Sequence, residues 1–422
     1  MRRARLVLVL LVAFAVVAAA CGDDEEGEAD PATSTPDGGE EEAAEPADFS
    51  GRGPYAVGQV DLQLASGPVV AVFYPVEPEA VPADAEPYAY SGEDVLDPAI
   101  SALLPTALSG EVAPADTWVE VPASQDGPFP LVLHSHGFSG NARFANRHNA
   151  AVASWGYVVA AVDHPERGLA SILEAFLGGE ASGTADEYLD SDQLLEALDL
   201  LTDPEALAGS PVEGVIDGER VAAEGHSAGG SASGTAAYDE RVDLWLGQAP
   251  GTPYEPGTDL ELFRSDDAEG PRVDVAALLA ATDPPDVPSL VIAAEGDSII
   301  PLERVRQVFD WLTGPKRLAV IAGSGHAVFV DPCVPIREEG GLAGFVEALG
   351  LDPADVPLVE LGENGCLPED TDPIEVWGLI DHLTVAQLEV VLGDAPEVGE
   401  ASMQRAFLDE TFPGLLLDLV VG

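Results

Sequence analysis

Gly225-His226-Ser227-Ala228-Gly229-Gly230 is the stretch best suited to chemistry. It follows the apolar run Arg220-Val221-Ala222-Ala223-Glu224 and precedes Ala-, Ser- and Gly-rich sequence able to form a helix. Glycines on both sides of a serine permit a turn too tight for side chains, and such a turn thrusts the hydroxyl out beyond the strand end. An idle serine in a Gly-rich turn is the bland alternative. The strand-turn-helix context argues for Ser227 as a nucleophile.

A serine hydroxyl attacks poorly unless a base takes its proton, so a histidine must lie downstream, with an acid between the two in the chain order of this turn type. His326, in Gly323-Ser324-Gly325-His326-Ala327, follows the apolar run Arg317-Leu318-Ala319-Val320-Ile321, and its Gly-rich approach suits a loop bending over a sheet. His382 is the competing base, in the more helix-like Leu379-Ile380-Asp381-His382-Leu383. Asp297 ends the run Ser289 to Ala294 and its turn Glu295-Gly296. Its role would be to accept the Nδ1 proton of the histidine and stabilise the imidazolium. Glu295 and Asp331 are the rival acids. Acyl transfer also needs donors for a tetrahedral oxyanion. The backbone N–H groups of Ala228 and of Phe138, in His134-Ser135-His136-Gly137-Phe138-Ser139-Gly140, are the candidates, with Phe138 also a substrate contact. His134 and His136 are expected to buttress this loop, since no third ligand at zinc spacing is apparent. Asp163-His164-Pro165 reads as a rim loop of the pocket or a plain turn. No metal and no cofactor is expected.

The elements that must position these residues are legible as short runs. Val57 to Leu64 and Pro68 to Pro75 read as antiparallel strands, the first alternating like a half-exposed edge. Pro130 to His134, Tyr157 to Asp163, Arg220 to Glu224, Ser289 to Ala294 and Arg317 to Ile321 are nearly continuous in Val, Leu, Ile and Ala, as strands covered on both faces require. Helical spacing is predicted for Phe144 to Trp155, for Asp192 to Leu201 with Asp192 as cap, and for Pro301 to Leu312. Alternating strands and helices predict an α/β fold with a mostly parallel central sheet, helices on both faces and right-handed crossovers. Residues 168–190, 251–287 and 331–372 break the alternation and read as rim insertions where substrate would be selected.

The chain has 422 residues, 46% hydrophobic, enough for a substantial core. Its 76 Asp+Glu against 17 Lys+Arg give a formal net charge of -59, which excludes nucleic acid as a partner. Lys316 is the only lysine. The acid excess reads either as adaptation to salt or as a solvated surface. Arg2, Arg3 and Arg5 precede an apolar run from Leu6 to Ala20, followed by Cys21 and acidic sequence. This is the pattern of an export signal, too short for a spanning helix. Small residues before Cys21 resemble a bacterial lipoprotein processing site, though Ala18 stands where Leu is usual. Residues 1–21 are therefore expected to be an export signal with lipidation at Cys21, the alternative being plain secretion. Residues 22–48 are expected to be an acidic disordered tether, and 49–422 the catalytic domain. In an oxidising compartment Cys333 and Cys366 are expected to form a disulfide.

The run from Pro130 to His326 resembles the dienelactone-hydrolase-like branch of the α/β-hydrolases, which includes platelet-activating-factor acetylhydrolases and bacterial polyester hydrolases or cutinases. The resemblance rests on Pro130 to Phe138, Gly225 to Gly230, Pro288 to Pro301 and Gly323 to His326. It implies an α/β-hydrolase fold and cofactor-free ester hydrolysis by Ser227, Asp297 and His326. A serine at 227 disfavours true dienelactone hydrolysis, which uses cysteine. The polyester hydrolases carry Trp where this chain has Gly251, so their clamp on an aromatic polymer is missing. Phe138 matches the aromatic they place beside the oxyanion hole. The expectation is an exported, monomeric serine ester hydrolase acting on apolar or short-acyl esters, membrane-attached through Cys21. The rival readings are a catalytically silent surface lipoprotein that binds lipid or a partner, and a serine peptidase or acyltransferase on the same scaffold.

Overall fold

The computed structural model describes residues 44–95, 112–176, 187–267, 270–348 and 352–422. The expected export signal with Cys21, and nearly all of the expected tether, lie outside these residues. A ten-stranded sheet has the order β12-β11-β10-β7-β6-β4-β5-β2-β1-β3. Its strands are β1 (Ala56–Gln63), β2 (Val69–Val76), β3 (Thr117–Val119), β4 (Phe129–Ser135), β5 (Val158–Val162), β6 (Ile216–His226), β7 (Leu244–Gln248), β10 (Ser289–Ala294), β11 (Lys316–Ile321) and β12 (Leu416–Val421). β8 (Arg264–Asp267) and β9 (Gly270–Val273) form a separate hairpin. Neighbours from β5 through β11 run parallel, while β2 is antiparallel to β1 and β5, and β12 to β11.

Alternation along the strands explains the continuous apolar runs. Leu131, Leu133, Val158, Ala160 and Val162 face one way, against Leu194, Leu198 and Leu201 of α3 (Glu187–Thr202), Ala232 and Ala236 of α4 (Ala228–Ala236), and Val305 and Val308 of α6 (Leu302–Trp311). Val132, Val159 and Ala161 face the other way, against Ala150, Val152 and Ala153 of α1 (Asn146–Ser154) and Val376 to Leu388 of α10 (Pro373–Val391). Both faces of these strands are therefore dry, and each residue contributes burial of roughly 25 cal/mol per Å² of apolar surface. This is the α/β-hydrolase architecture.

The three stretches outside the alternation all leave from the C-terminal ends of parallel strands, where open α/β sheets place ligand sites. After β5 comes α2 (Leu169–Phe176), after β7 the β8-β9 hairpin with α5 (Val275–Ala281), and after β11 the helices α7 (Cys333–Glu339), α8 (Ala343–Ala348) and α9 (Pro357–Glu363). Two local expectations are corrected. Asp192 is no cap, because α3 already runs from Glu187. β1 is no edge, because β3 pairs along its outer side and its first five residues are buried. Within residues 44–48, the Ala47 N–H donates to Ser402 Oγ at 2.8 Å. Among the described residues no helix is long and apolar enough to cross a membrane.

Candidate active site

Ser227 sits between β6 and α4 with φ 57° and ψ -119°, a conformation hostile to a side-chain-bearing residue. The glycines around it are required by close approach. A methyl at Gly225 would overlap the Gly229 carbonyl, and one at Gly229 would overlap the Ser135 carbonyl at the end of β4. The turn is held by Ser227 N–H donating to Gln248 O at 2.9 Å and by Gly251 N–H donating to Ser227 O at 2.8 Å. A side chain at Gly251 would meet Ser231 Oγ at 3.1 Å, so the backbone there is packed on the serine turn.

The histidine and acid turns arrive from β11 and β10. Ser227 Oγ lies 2.8 Å from His326 Nε2, and His326 Nδ1 lies 2.8 Å from Asp297 Oδ2. Asp297 Oδ1 accepts the N–H groups of Ile299 at 2.8 Å and Ile300 at 2.7 Å, leaving Oδ2 aimed at the ring. Ser227, Asp297 and His326 are 7%, 6% and 1% exposed. His226 lies against His326, its ring 4.8 Å from that of His326 and its Nε2–H donating to His326 O at 2.9 Å. Burial, reinforced by the neighbouring His326, pushes His226 well below the usual histidine range, so it is neutral. The rival acids and base stand elsewhere. Glu295 Oε2 accepts the Gly323 N–H at 2.9 Å, bracing the histidine turn. Asp331 Oδ2 accepts the Arg147 N–H at the start of α1. His382 is fixed between Phe49 N–H and Ser402 O.

Phe138 follows β4, and Ala228 is the first residue of α4, whose N–H has no carbonyl one turn back. A methyl on Gly137 would meet Ser227 Cβ at 3.3 Å, so the loop passes beside the serine. The Gly137 carbonyl, which shares its peptide plane with the Phe138 N–H, accepts from His136 Nδ1 at 2.8 Å and from Gly140 N–H at 3.0 Å. His136 Nε2 in turn accepts the His164 N–H at 3.0 Å. Burial, with Arg167 nearby, holds His136 below the usual range, consistent with this neutral tautomer.

Beneath the loop lies a charged layer that the sequence reading did not find. Arg167 is fully buried and donates to Asp190, to the His136 carbonyl and to Ser135 Oγ, while its own carbonyl accepts the Ser139 N–H at 2.9 Å. On β6, the strand that leads to Ser227, Glu224 receives His134 Nδ1 at 3.2 Å, His148 Nε2 at 3.0 Å and Gln248 Nε2 at 2.9 Å. His148 Nδ1 donates to Asp381, which also pairs with Arg147. Burial alone would lower His148, but Glu224 and Asp381 outweigh it and lift the imidazole to about 10. Burial would raise Glu224, but His148 and His134 hold it well below the carboxylate range. His134 and His136 thus serve different partners, Glu224 and the loop carbonyl. Among the described residues no group of three or more His, Cys, Asp or Glu could hold a metal ion. Cys333 and Cys366 are disulfide-bonded, as expected.

Residues 49–176 match the family model described as platelet-activating factor acetylhydrolase, isoform II. The match runs from before β1 through α2 and includes the His136–Phe138 loop, but ends before Ser227, Asp297 and His326. No curated protein matches the chain. The sheet order is that of the α/β-hydrolase fold, and residues 49–176 are similar to platelet-activating-factor acetylhydrolases.

Proposed function

We propose that this α/β-hydrolase is a serine ester hydrolase that cleaves apolar or short-acyl carboxylic esters through an acyl-enzyme. Ser227 Oγ attacks the ester carbonyl while His326 Nε2 takes its proton. Asp297 Oδ2 holds the Nδ1–H and stabilises the imidazolium. The N–H groups of Phe138 and Ala228 receive the oxyanion, a contribution of about 10²- to 10³-fold per donor. Collapse expels the alcohol, protonated by His326, and leaves the acyl group on Ser227. Water, deprotonated by the same imidazole, then attacks the acyl carbon; the acyl–Oγ bond breaks as His326 returns the proton to Ser227 Oγ, and the carboxylic acid leaves. The observation that carries this reading is the 2.8 Å contact of Ser227 Oγ with His326 Nε2 in line with the 2.8 Å contact of His326 Nδ1 with Asp297 Oδ2. The small exposure of Ser227 and the packed backbone at Gly251 favour a small ester over a polymer chain. Export and lipid attachment at Cys21 belong to the same reading and rest on the sequence of residues 1–21.

The test is turnover of p-nitrophenyl acetate, butyrate and decanoate at low and high salt, beside Ser227→Ala. Activity is expected for the shorter esters and lost in the variant. Folded protein with no turnover, and no labelling of Ser227 by a fluorophosphonate, would leave the silent lipoprotein as the reading.

A further inference from the structure

The insertion after β11 returns to the catalytic turns at one residue. Asn364, at the C-terminal end of α9, places Oδ1 2.6 Å from the His326 N–H and 3.2 Å from the Ser298 N–H, and its Nδ2 donates to the Gly296 carbonyl at 3.1 Å. Its main-chain carbonyl accepts the Ala327 N–H at 2.8 Å. One amide therefore bonds both neighbours of Asp297 and the backbone of His326 itself. The two turns otherwise meet through the Gly296 N–H donating to Ser324 O at 2.8 Å, the Glu295 contact with Gly323, and the catalytic contact.

The approach is tight enough to exclude side chains. A methyl at Gly325 would lie 2.6 Å from Gly365 N and 2.7 Å from Asn364 Oδ1, and Gly365 has φ 93°. Two residues beyond Asn364, Cys366 is bridged to Cys333, the first residue of α7, which follows the short turn His326–Phe329. Both cysteines are fully buried. The chain therefore closes a small circuit: His326 along the backbone to Cys333, across the disulfide to Cys366, back to Asn364, and from its amide to His326.

We propose that Asn364 is a positioning residue for the acid-base pair and that the Cys333–Cys366 bridge acts on the reaction through it. This rests on the serine-hydrolase reading above. The amide fixes how the Asp297 and His326 turns lie relative to one another, so it bears on proton transfer and not on ester binding. A misplacement of about 1 Å in such a constellation can cost about 10²-fold.

Three changes to the full chain test this: Asn364→Ala, Asn364→Asp, and the pair Cys333→Ala with Cys366→Ala. Asn364→Ala is expected to lower kcat about 10-fold or more with KM within about twofold. Asn364→Asp keeps an acceptor for the His326 and Ser298 N–H groups but loses the donor to Gly296, and is expected to recover part of the rate. The cysteine pair is expected to lower kcat less than Asn364→Ala does. Adding Asn364→Ala to it should cost less than in the bridged protein, because the two act in series. Melting temperatures and the rate of Ser227 labelling by a fluorophosphonate are measured for every variant. Wild-type kcat in folded Asn364→Ala, rate losses that merely follow melting temperature, or fully additive losses with the cysteine pair would overturn the proposal. If the unsubstituted protein turns over no ester, the functional reading fails separately. Labelling rates then decide the role of Asn364 by the same comparison.

Discussion

The strand ends that carry Ser227 and the His136–Phe138 loop rest on buried charge, whereas the turns that carry Asp297 and His326 rest on amides, glycines, the exposed carboxylate of Glu295 and a disulfide. Under β4 and β6, Arg167 pairs with Asp190, and His148 bridges Glu224 to Asp381. Under the ends of β10 and β11, Asn364 and the backbone of 296–300 hold the carboxylate and the ring. The Ser227 side is built on strands whose polar supports sit in the core and must be satisfied there. The His326 side is built on loops, held by backbone and amide hydrogen bonds, one exposed carboxylate and a covalent bridge that limits motion. Damage to the first should therefore be read mainly as lost stability, and damage to the second mainly as lost rate.

The sharpest way to break that contrast is at Asp297. Asp297→Asn keeps the side-chain shape but presents either a weaker acceptor or an N–H to His326 Nδ1. Loss of kcat of about 10⁴-fold is expected with little change in melting temperature. A large fall in stability with only a modest loss of rate would show that the acid supports the fold and not the imidazolium.

Arg167→Ala probes the other side. It strands Asp190 in the core and frees the His136 carbonyl, and a buried pair broken at one partner costs about 3–5 kcal/mol. Urea unfolding should show that loss, and the doubly substituted Arg167→Ala, Asp190→Ala protein should regain part of it because no unpaired charge is left. If Arg167→Ala keeps wild-type stability and loses only kcat, the two sides of the site are braced alike.

The same contrast explains what could be read from sequence. β4, β5, β6, β10 and β11 were legible because helices cover both faces, so each run is apolar without a break. β7 was not, because it ends in Gln248, a buried polar residue whose amide serves Glu224. β12 was not, because it is an edge strand carrying Asp418 and half-exposed side chains. Ser227 and His326 were legible because their turns demand glycines at fixed neighbours. Arg167 and Asn364 carry no such local mark. Arg167 gains its meaning from Asp190 and the end of β4, and Asn364, inside an Asn-Gly turn, gains its meaning from His326, far off in the chain. Their partners are chosen by tertiary packing, which local periodicity does not encode.

The smallest effect is expected at Asp331, which lies close after His326 in sequence yet belongs to the charged layer. Burial pushes its carboxyl up to about 6, with Arg147 and His148 opposing the rise. A carboxyl raised above its unfolded value favours the folded state fully only below the unfolded value of about 4, and that advantage is lost as pH rises toward 6. At pH 8 the native protein therefore holds an ionised, buried carboxylate at a net cost. Asp331→Asn keeps an acceptor for the Arg147 N–H and removes that charge. It is expected to be nearly neutral at pH 4 and to stabilise the protein by on the order of 1–2 kcal/mol at pH 8, read by urea unfolding at the two pH values. Its kcat should match that of the unsubstituted protein, because Asp331 meets α1 and not the imidazole. Loss of activity approaching that of Asp297→Asn would place the working acid at 331. A destabilisation at pH 8 would mean that the charge of Asp331 balances Arg147 and His148 more than burial opposes it.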